Sequence, residues 1–239
     1  PHGSILVGGY IRDLILERQS PFPDIDIVIP NNSLEIGKSI AEKFSGKFLI
    51  LDFERNIVRI IFKNFTLDIA NQTHELLVED LKSRDFTINS IGFSFDDERL
   101  IDPANGIYDL NHSLLRSLRS ENLLSDPLRI LRCFRFVSEL NFNIEPQILE
   151  FIQLNKFQLK EISVERIQYE LKKIVHGREA FRTVEFLNEI KIFDWIQSYE
   201  NNPSKVLMNE NFDNFSEDEI EKFFPIAYLK ELLKEPVIR

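Results

Sequence analysis

The sequence predicts an α+β chain: a mixed α/β N-terminal unit, built as a small mixed sheet backed by helices, followed by an all-helical remainder. Three observations carry this expectation. Short runs rich in Ile, Val and Phe recur between residues 5 and 70, bounded by Gly, Pro or Asn. After Pro103 the apolar spacing changes to steps of three and four. Phe is abundant, at 21 residues, whereas Gly is scarce, at 8, a balance that suits packed helices better than turn-rich sheet.

The elements follow in order. Ile5–Val7 reads as a strand running into Gly8-Gly9, and residues 10–17 as a helix with apolar positions at 11, 14 and 15. Pro21 and Pro23 make a loop, and Asp24–Ile29 is a β-branched strand that Pro30 ends. Residues 34–44 form a helix with Asn32 or Ser33 as N-cap. Residues 47–51, 57–62 and 66–70 are strands. In the second part, helices are expected over 114–118, 126–140, 146–154, Val164–Val175 and 179–189. Ser125 or Asp126, and then Ser163, are the candidate N-caps, and Gly177 sits where a helix C-cap would. Beyond Asn201 the chain is Asn- and acid-rich, then amphipathic over 216–233.

Composition narrows the function. At 43% hydrophobic the chain can bury a core, and no run of 18 apolar residues spans a membrane. The start lacks the basic and apolar regions of a signal peptide. Cys133 is the one cysteine, so no internal disulfide is possible and a cytoplasmic setting is expected. The one Met is Met208 and the first residue is Pro1, so a short upstream segment is expected. The net charge of −10 argues against binding nucleic acid over the whole surface. Charge is uneven, however: Arg116, Arg119, Arg129, Arg132 and Arg135 fall together, Lys156, Lys160, Arg166, Lys172 and Lys173 follow, and the last forty residues are acidic. A basic middle suits a polyanion held on one face.

Chemistry is concentrated near the start. Gly8-Gly9-Tyr10-Ile11-Arg12-Asp13 offers a turn whose backbone can approach a phosphate closely. Asp24 and Asp26, at i and i+2 on a strand, point the same way. Together they describe a chelator of divalent metal beside a triphosphate pocket, the minimal equipment for transferring a nucleotide. Alone, each part would also fit an ordinary turn and a solvated strand end.

Later residues extend the series in a fixed order: Ser83-Arg84-Asp85-Phe86-Thr87-Ile88-Asn89, then Asp102-Pro103-Ala104-Asn105-Gly106 with Asp109-Leu110, then Asp126-Pro127-Leu128-Arg129-Ile130-Leu131-Arg132, then Glu165-Arg166-Ile167 with Glu170-Leu171. Over roughly residues 5 to 176 this ordered set resembles the class II tRNA nucleotidyltransferases and bacterial poly(A) polymerases, of the polymerase β-type nucleotidyltransferase superfamily. The resemblance implies a nucleotidyltransferase head carrying the catalytic sheet (1–110), a helical neck with a nucleotide-selecting helix (111–178) and part of a helical body (179–239), with further C-terminal sequence expected.

The resemblance also implies roles. Asp24 and Asp26 look like the metal pair for two Mg²⁺ ions, which activate the primer 3′-hydroxyl and neutralise the leaving pyrophosphate. A third carboxylate is expected on a neighbouring strand. Asp68, flanked by apolar residues, is the candidate, because a metal offsets the cost of burying a lone charge; Asp52 is the weaker rival. Gly8 and Gly9, with the following helix N-terminus, would meet the triphosphate. Arg12 would reach a phosphate, with Asp13 orienting it. Arg84 and Asp85 match the second motif: Asp85 would accept from the ribose 2′-hydroxyl, with Asn89 assisting. The family commonly has two arginines here, and this chain has Ser83 in place of the first.

Asp126 and Arg129 lie three apart on an expected helix and so would share a face. A carboxylate accepts from an exocyclic amine, and a guanidinium donates to ring nitrogen and carbonyl. Cytosine and adenine present the amine; guanine and uracil present a carbonyl there. By resemblance, this pair replaces a nucleic-acid template. The family motif often has Glu before this Asp, where this chain has Ser125. Arg132 would contact phosphates or hold Asp126. Asp102, Gly106 and Asp109 look like a head–neck hinge, Glu165 and Arg166 would brace the neck helices, and Cys133 would be a packed small residue. The four histidines are not metal-spaced, and no His-Asp dipeptide marks a fused phosphohydrolase domain.

The function implied is template-independent addition of C, A or both, from CTP and ATP, to the tRNA 3′ end. The short connector over 71–78 leaves CC-only and A-only activity open, and a poly(A) polymerase shares these motifs. A non-catalytic RNA-binding relative would be expected to lose the carboxylates at 24, 26 and 68. A small-molecule nucleotidyltransferase would not need the pair at 126 and 129.

Overall fold

The computed structural model describes residues 2–74 and 76–193. The amphipathic segment expected over 216–233 lies outside the described residues. The chain divides into two compact units, Pro1–His112 and Ser113–Arg239.

The first unit is a seven-stranded sheet, larger than the sequence suggests. Its elements are β1 (Ile5–Val7), α1 (Gly9–Ile15), β2 (Asp24–Ile29), α2 (Ser33–Phe44), β3 (Lys47–Asp52), β4 (Ile57–Ile61), β5 (Thr66–Asn71), α3 (Leu77–Lys82), β6 (Gly92–Ser94), β7 (Arg99–Ile101) and α4 (Gly106–Asn111). A 3-10 turn over Thr87–Asn89 precedes β6. The order across the sheet is β3-β4-β5-β2-β1-β6-β7. All neighbours are antiparallel except β2 and β5, which run parallel.

Strand alternation divides the sheet's work between its faces. Ile27 and Ile29 share a face with Val58, Ile60 and Ile69, and this face packs with Ala41 and Ile40 of α2. The opposite face buries Val28 with Ile5, Val7 and Leu81. On that second face, one rung runs Arg59, Asp68, Asp26, Val7, Gly92 across five strands. A charged cluster and an apolar cluster thus share one side of one sheet.

The strands β6 and β7 are not expected from the sequence. At three residues each they are too short for a period of two to register, and neither has the apolar run against a Gly-Gly turn that marks β1. The start of α2 also differs in its chemistry. Neither Asn32 nor Ser33 caps it through its side chain; the Ser33 N–H instead donates to Asn71 Oδ1 of β5 at 2.9 Å. The cap comes from a neighbouring strand, which local sequence does not reveal.

The second unit contains β8 (Leu114–Leu115), α5 (Asn122–Ser125), α6 (Leu128–Leu140), β9 (Asn143–Ile144), α7 (Pro146–Asn155), α8 (Val164–Val175) and α9 (Ala180–Glu189). The helix expected over 114–118 is not formed: Leu114 and Leu115 pair in parallel with Asn143 and Ile144. Five residues cannot distinguish helical from extended apolar spacing. The helix expected over 126–140 begins two residues later, at Leu128, because Asp126 adopts extended backbone, φ −147 and ψ 98. Pro127 follows it and disfavours the helical region for the preceding residue.

Helix α6 is the centre of the described part of this unit. Ile130, Leu131, Cys133, Phe134 and Phe136 are buried together with Ile167, Leu171 and Ile174 of α8 and Val184 and Leu187 of α9. Cys133 is a packed core residue, free of any disulfide. Glu170 of α8 is almost fully buried and accepts from Arg135 Nη1 at 3.1 and 3.0 Å. Two expected caps work differently. Ser163 occupies the N-cap of α8 without a side-chain bond. Gly177 is needed for close approach: a Cβ there would sit 2.1 Å from Ser138 Oγ and 2.7 Å from its carbonyl carbon on α6.

Candidate active site

The turn between β1 and α1 is the foundation. Gly8 holds φ +80 and ψ −145, a region essentially closed to side-chain-bearing residues. The space a Cβ would occupy lies 3.1 Å from Asp26 Oδ2 and 3.4 Å from Arg84 Nη1. Glycine at position 8 therefore lets three separate motifs meet: the Gly-Gly turn, the strand carboxylate and the arginine that follows α3. Gly9 begins α1, where its nearest neighbour is the Arg12 guanidinium one turn on.

Asp26 stands beside Asp68 because β2 and β5 are parallel and in register, and Asp24 stands beside Thr66 in the same ladder. Burial, then the neighbouring Asp68 carboxylate, push the Asp26 carboxyl up from its ordinary 3.8 to about 6; Arg84 and Arg59 pull the other way and Asp24 adds to the rise. Asp68 is held by Arg59 through two bonds of 2.7 Å, from Nε and Nη2. Asp24 accepts from the Thr66 hydroxyl. Among the described residues no three His, Cys, Asp or Glu side chains are grouped so that they could by themselves hold a metal ion. The three carboxylates expected from the sequence share one face, then, but Asp68 faces an arginine and Asp24 a threonine. Asp52, the rival, lies on the edge strand β3, bonded to the Arg55 N–H at 2.9 Å.

These residues fit Mg²⁺. It takes one or two protein carboxylates and completes its shell with water and substrate phosphate, so no all-protein cage is required. The raised Asp26 carboxyl is consistent with this: it is buried first of all, and Asp68 stands beside it, so a divalent cation would offset the cost of holding its charge.

Arg12 is nearly buried, and its guanidinium is engaged inside the protein. Nε and Nη2 bond the two oxygens of Asp13 at 3.0 and 3.1 Å, and Nη1 bonds Asn89 Oδ1 at 2.9 Å. Asn89 passes the contact on, its Nδ2 donating to Asp85 Oδ1 at 3.0 Å. The Phe86 N–H donates to the same oxygen at 2.8 Å. A continuous chain of bonds thus runs Asp13–Arg12–Asn89–Asp85, and it fixes which way the Asn89 amide faces. Sequence reasoning sets Arg12 toward phosphate and misses this link, because residues 12 and 89 are distant along the chain. A cleft of about 420 Å³ opens beside α1, lined by Tyr10, Arg12, Asp13, Asp24 and Asp26 among others.

The residues expected to form a hinge close off the other side of the 3-10 turn. Asp102 caps α4 by accepting from the N–H groups of Gly106 at 2.7 Å and Ile107 at 3.0 Å. Asp109 is fully buried and accepts from the Thr87 hydroxyl at 2.5 Å.

In the second unit, Asp126 and Arg129 do not share a helical face, since Asp126 precedes α6. Each has its own partner. Asp126 Oδ2 accepts from Arg166 Nη2 at 2.8 Å, and Oδ1 from the Leu128 N–H at 3.3 Å. Arg129 Nη1 donates to the Asn122 carbonyl at 2.8 Å and to Ser125 Oγ at 3.2 Å. The Ser125 that stands where the family often has Glu still touches the arginine. Arg132 Nε lies 3.8 Å from Glu170 Oε1.

Comparison with known proteins agrees with this layout. Residues 4–116 match the family model described as the poly A polymerase head domain, and residues 141–199 match one described as the probable RNA and SrmB-binding site of polymerase A. A CC-adding tRNA nucleotidyltransferase from Synechocystis sp. is 35% identical over 175 residues, covering 73% of this chain and 42% of the relative. An A-adding tRNA nucleotidyltransferase from Deinococcus radiodurans is 32% identical over 199 residues, covering 81% of this chain and 45% of the relative. The solved structure of the Thermotoga maritima CCA-adding enzyme complexed with tRNA superposes with a TM-score of 0.73 at 28% identity, covering 81% of this chain and 48% of that one. The chain thus spans somewhat less than half the length of each. No helix among the described residues is long and apolar enough to cross a membrane.

Proposed function

The chain belongs to the class II tRNA nucleotidyltransferase family, and from that premise we propose that it transfers C, A or both from CTP and ATP to the 3′ end of tRNA. One observation carries the reading: the space where a Cβ of residue 8 would stand is bordered by Asp26 Oδ2 at 3.1 Å and Arg84 Nη1 at 3.4 Å, on a face where Asp26 is buried beside Asp68. Relatives with CC-adding, A-adding and CCA-adding names all match, so similarity leaves the choice of nucleotide to experiment.

The chemistry divides among the residues as follows. Asp24 and Asp26, with Asp68 beside them, would hold Mg²⁺. When bound, the metal would supply charge neutralisation for the triphosphate and lower the pKa of the primer hydroxyl. Gly8 leaves room for a phosphate oxygen beside the carboxylates. Arg84, whose Nη1 borders the same space, would meet the negative charge that builds on the leaving pyrophosphate. Asp85, oriented by Asn89 and the Phe86 N–H, would accept from the ribose 2′-hydroxyl. Arg12 holds this chain of bonds from behind. In the second unit, Asp126 would accept from the exocyclic amine of C or A, and Arg129 would donate to the ring.

Two measurements test this. The full chain is incubated with tRNAs ending before the first C, before the second C and before the A, with each NTP alone and in mixtures. Stops after two C, one A or CCA identify the activity; long A tracts on any RNA would instead identify a poly(A) polymerase, and no incorporation under any condition would favour a non-catalytic RNA-binding protein. Separately, Asp85→Ala is expected to reduce the preference for ATP over dATP by about 10- to 100-fold, because a site built to bond a hydroxyl rejects its absence strongly. Asp85→Asn, which keeps the shape, should fall between. An unaltered ratio in both variants would count against the ribose role.

A further inference from the structure

We infer that Arg166, on α8, sets base selectivity by fixing the rotation of Asp126. The inference rests on the reading of Asp126 and Arg129 as the base-contacting pair. Sequence reasoning assigns Arg166 only to bracing helices. The geometry is more particular. Asp126 lies outside α6, on extended backbone, so no helical turn restrains its side chain. Its Oδ1 is held by one long bond, 3.3 Å from the Leu128 N–H, whereas Oδ2 is held at 2.8 Å by Arg166 Nη2, forty residues further along. Arg166 therefore provides the shorter and charge-assisted restraint on the carboxylate.

Rotation matters because of how a carboxylate discriminates. It offers acceptors only, so it attracts the amine of cytosine or adenine and repels the carbonyl of uracil or guanine. Repulsion rejects the wrong base only if the carboxylate cannot turn away, and a free rotor would tolerate a carbonyl by swinging aside. Arg129 is anchored elsewhere, by the Asn122 carbonyl and Ser125 Oγ just before α6. The two reading groups thus have separate supports, and Arg166 acts on one of them.

A bracing role alone explains the contact poorly. The Arg166 side chain is 51% exposed and that of Asp126 28%, and ion pairs this open contribute little to stability. Arg166 is a positioning residue, and its effect belongs in selectivity.

The test uses the full chain with Arg166→Ala, Arg166→Lys and Arg129→Ala. Relative kcat/KM for UTP against CTP and for GTP against ATP is measured on tRNA primers, together with equilibrium binding of each free nucleotide and thermal melting. Arg166→Ala should raise both wrong-to-right ratios about 3- to 5-fold, the range open to a pair this exposed, with little change in Tm, and Arg166→Lys should recover part of the discrimination. Wild-type ratios in Arg166→Ala, or an equal loss for all four nucleotides with a lowered Tm, would overturn the inference. If Arg129→Ala relaxes selectivity while Arg166→Ala does not, the base-reading assignment stands and this inference fails. If neither variant changes selectivity, both fall.

Discussion

Replacing Asp26 by asparagine is expected to remove nucleotide incorporation and, at the same time, to make the protein more stable. The two effects have one source. The Asp26 carboxyl is raised from 3.8 to about 6 by burial and by Asp68, so at neutral pH its charge is held at a cost. The sign follows from linkage: the folded state binds this proton more tightly than the unfolded chain does. Its contribution to stability is present in full below pH 3.8, declines as pH rises toward 6, and becomes a standing penalty above that. A shift of this size corresponds to about 2–3 kcal/mol. An asparagine side chain carries no charge, so Asp26→Asn should raise Tm at pH 7.5 by roughly 4–12 °C. The gain should vanish near pH 4, where the wild-type carboxyl is already protonated.

Activity should move the other way. A metal carboxylate contributes several kcal/mol to a phosphoryl-type transition state, and about 4 kcal/mol is a thousandfold in rate. Mg²⁺ should raise the melting temperature of the wild type and leave that of Asp26→Asn nearly unmoved. Melts at two pH values, with and without Mg²⁺, give the answer. A variant that melts lower than wild type at pH 7.5, or that still incorporates nucleotide, would remove the metal assignment.

The second large effect is expected at Gly106. It is the first residue of α4, and a Cβ there would lie 2.2 Å from the Thr87 carbonyl oxygen and 2.9 Å from its carbon. Those are backbone atoms of the 3-10 turn that also carries Asn89, so no side chain can rotate to relieve the clash. Gly106→Ala should cost about 2–3 kcal/mol by overpacking. The displaced turn should also loosen the bond from Asn89 to Asp85 and lower the ATP-over-dATP preference in the direction of Asp85→Ala. A urea melt and the ribonucleotide ratio check the two parts. Wild-type values for both would mean that the turn and α4 have more room than the geometry gives them.

What the sequence discloses follows from the range of the interactions concerned. Elements with long apolar periods, such as α2, α6 and α8, are legible to within two residues of their observed bounds. Hydrophobic spacing is a local signal, and Val164–Val175 matches at both ends. The mixed head with a largely helical second unit is likewise legible. The short strands β6 to β9 are not, because they exist only through partners elsewhere in the chain; β1, equally short, is legible through the Gly-Gly turn that follows it. The same distinction runs through the site. The Gly-Gly turn and the Asp24/Asp26 pair can be read from neighbouring letters. The Arg59–Asp68, Arg12–Asn89 and Arg166–Asp126 contacts join residues 9, 77 and 40 apart, and no spacing rule predicts which arginine finds which acceptor. Asp126 fails as a helical residue for a local reason that is in plain view: Pro127 follows it.

The parallel pairing of β2 with β5 has a kinetic consequence. Asp26 and Asp68 face each other only when strands separated by α2, β3 and β4 lie side by side. The intervening antiparallel hairpin β3–β4 and helix α2 can form from local contacts, but the carboxylate face requires closure of a loop of some forty residues against mutual repulsion. Such non-local pairing is slow. By loop length, the carboxylate face is therefore expected to assemble after α2 and the β3–β4 hairpin but before β6, whose partners on β1 lie further away still along the chain.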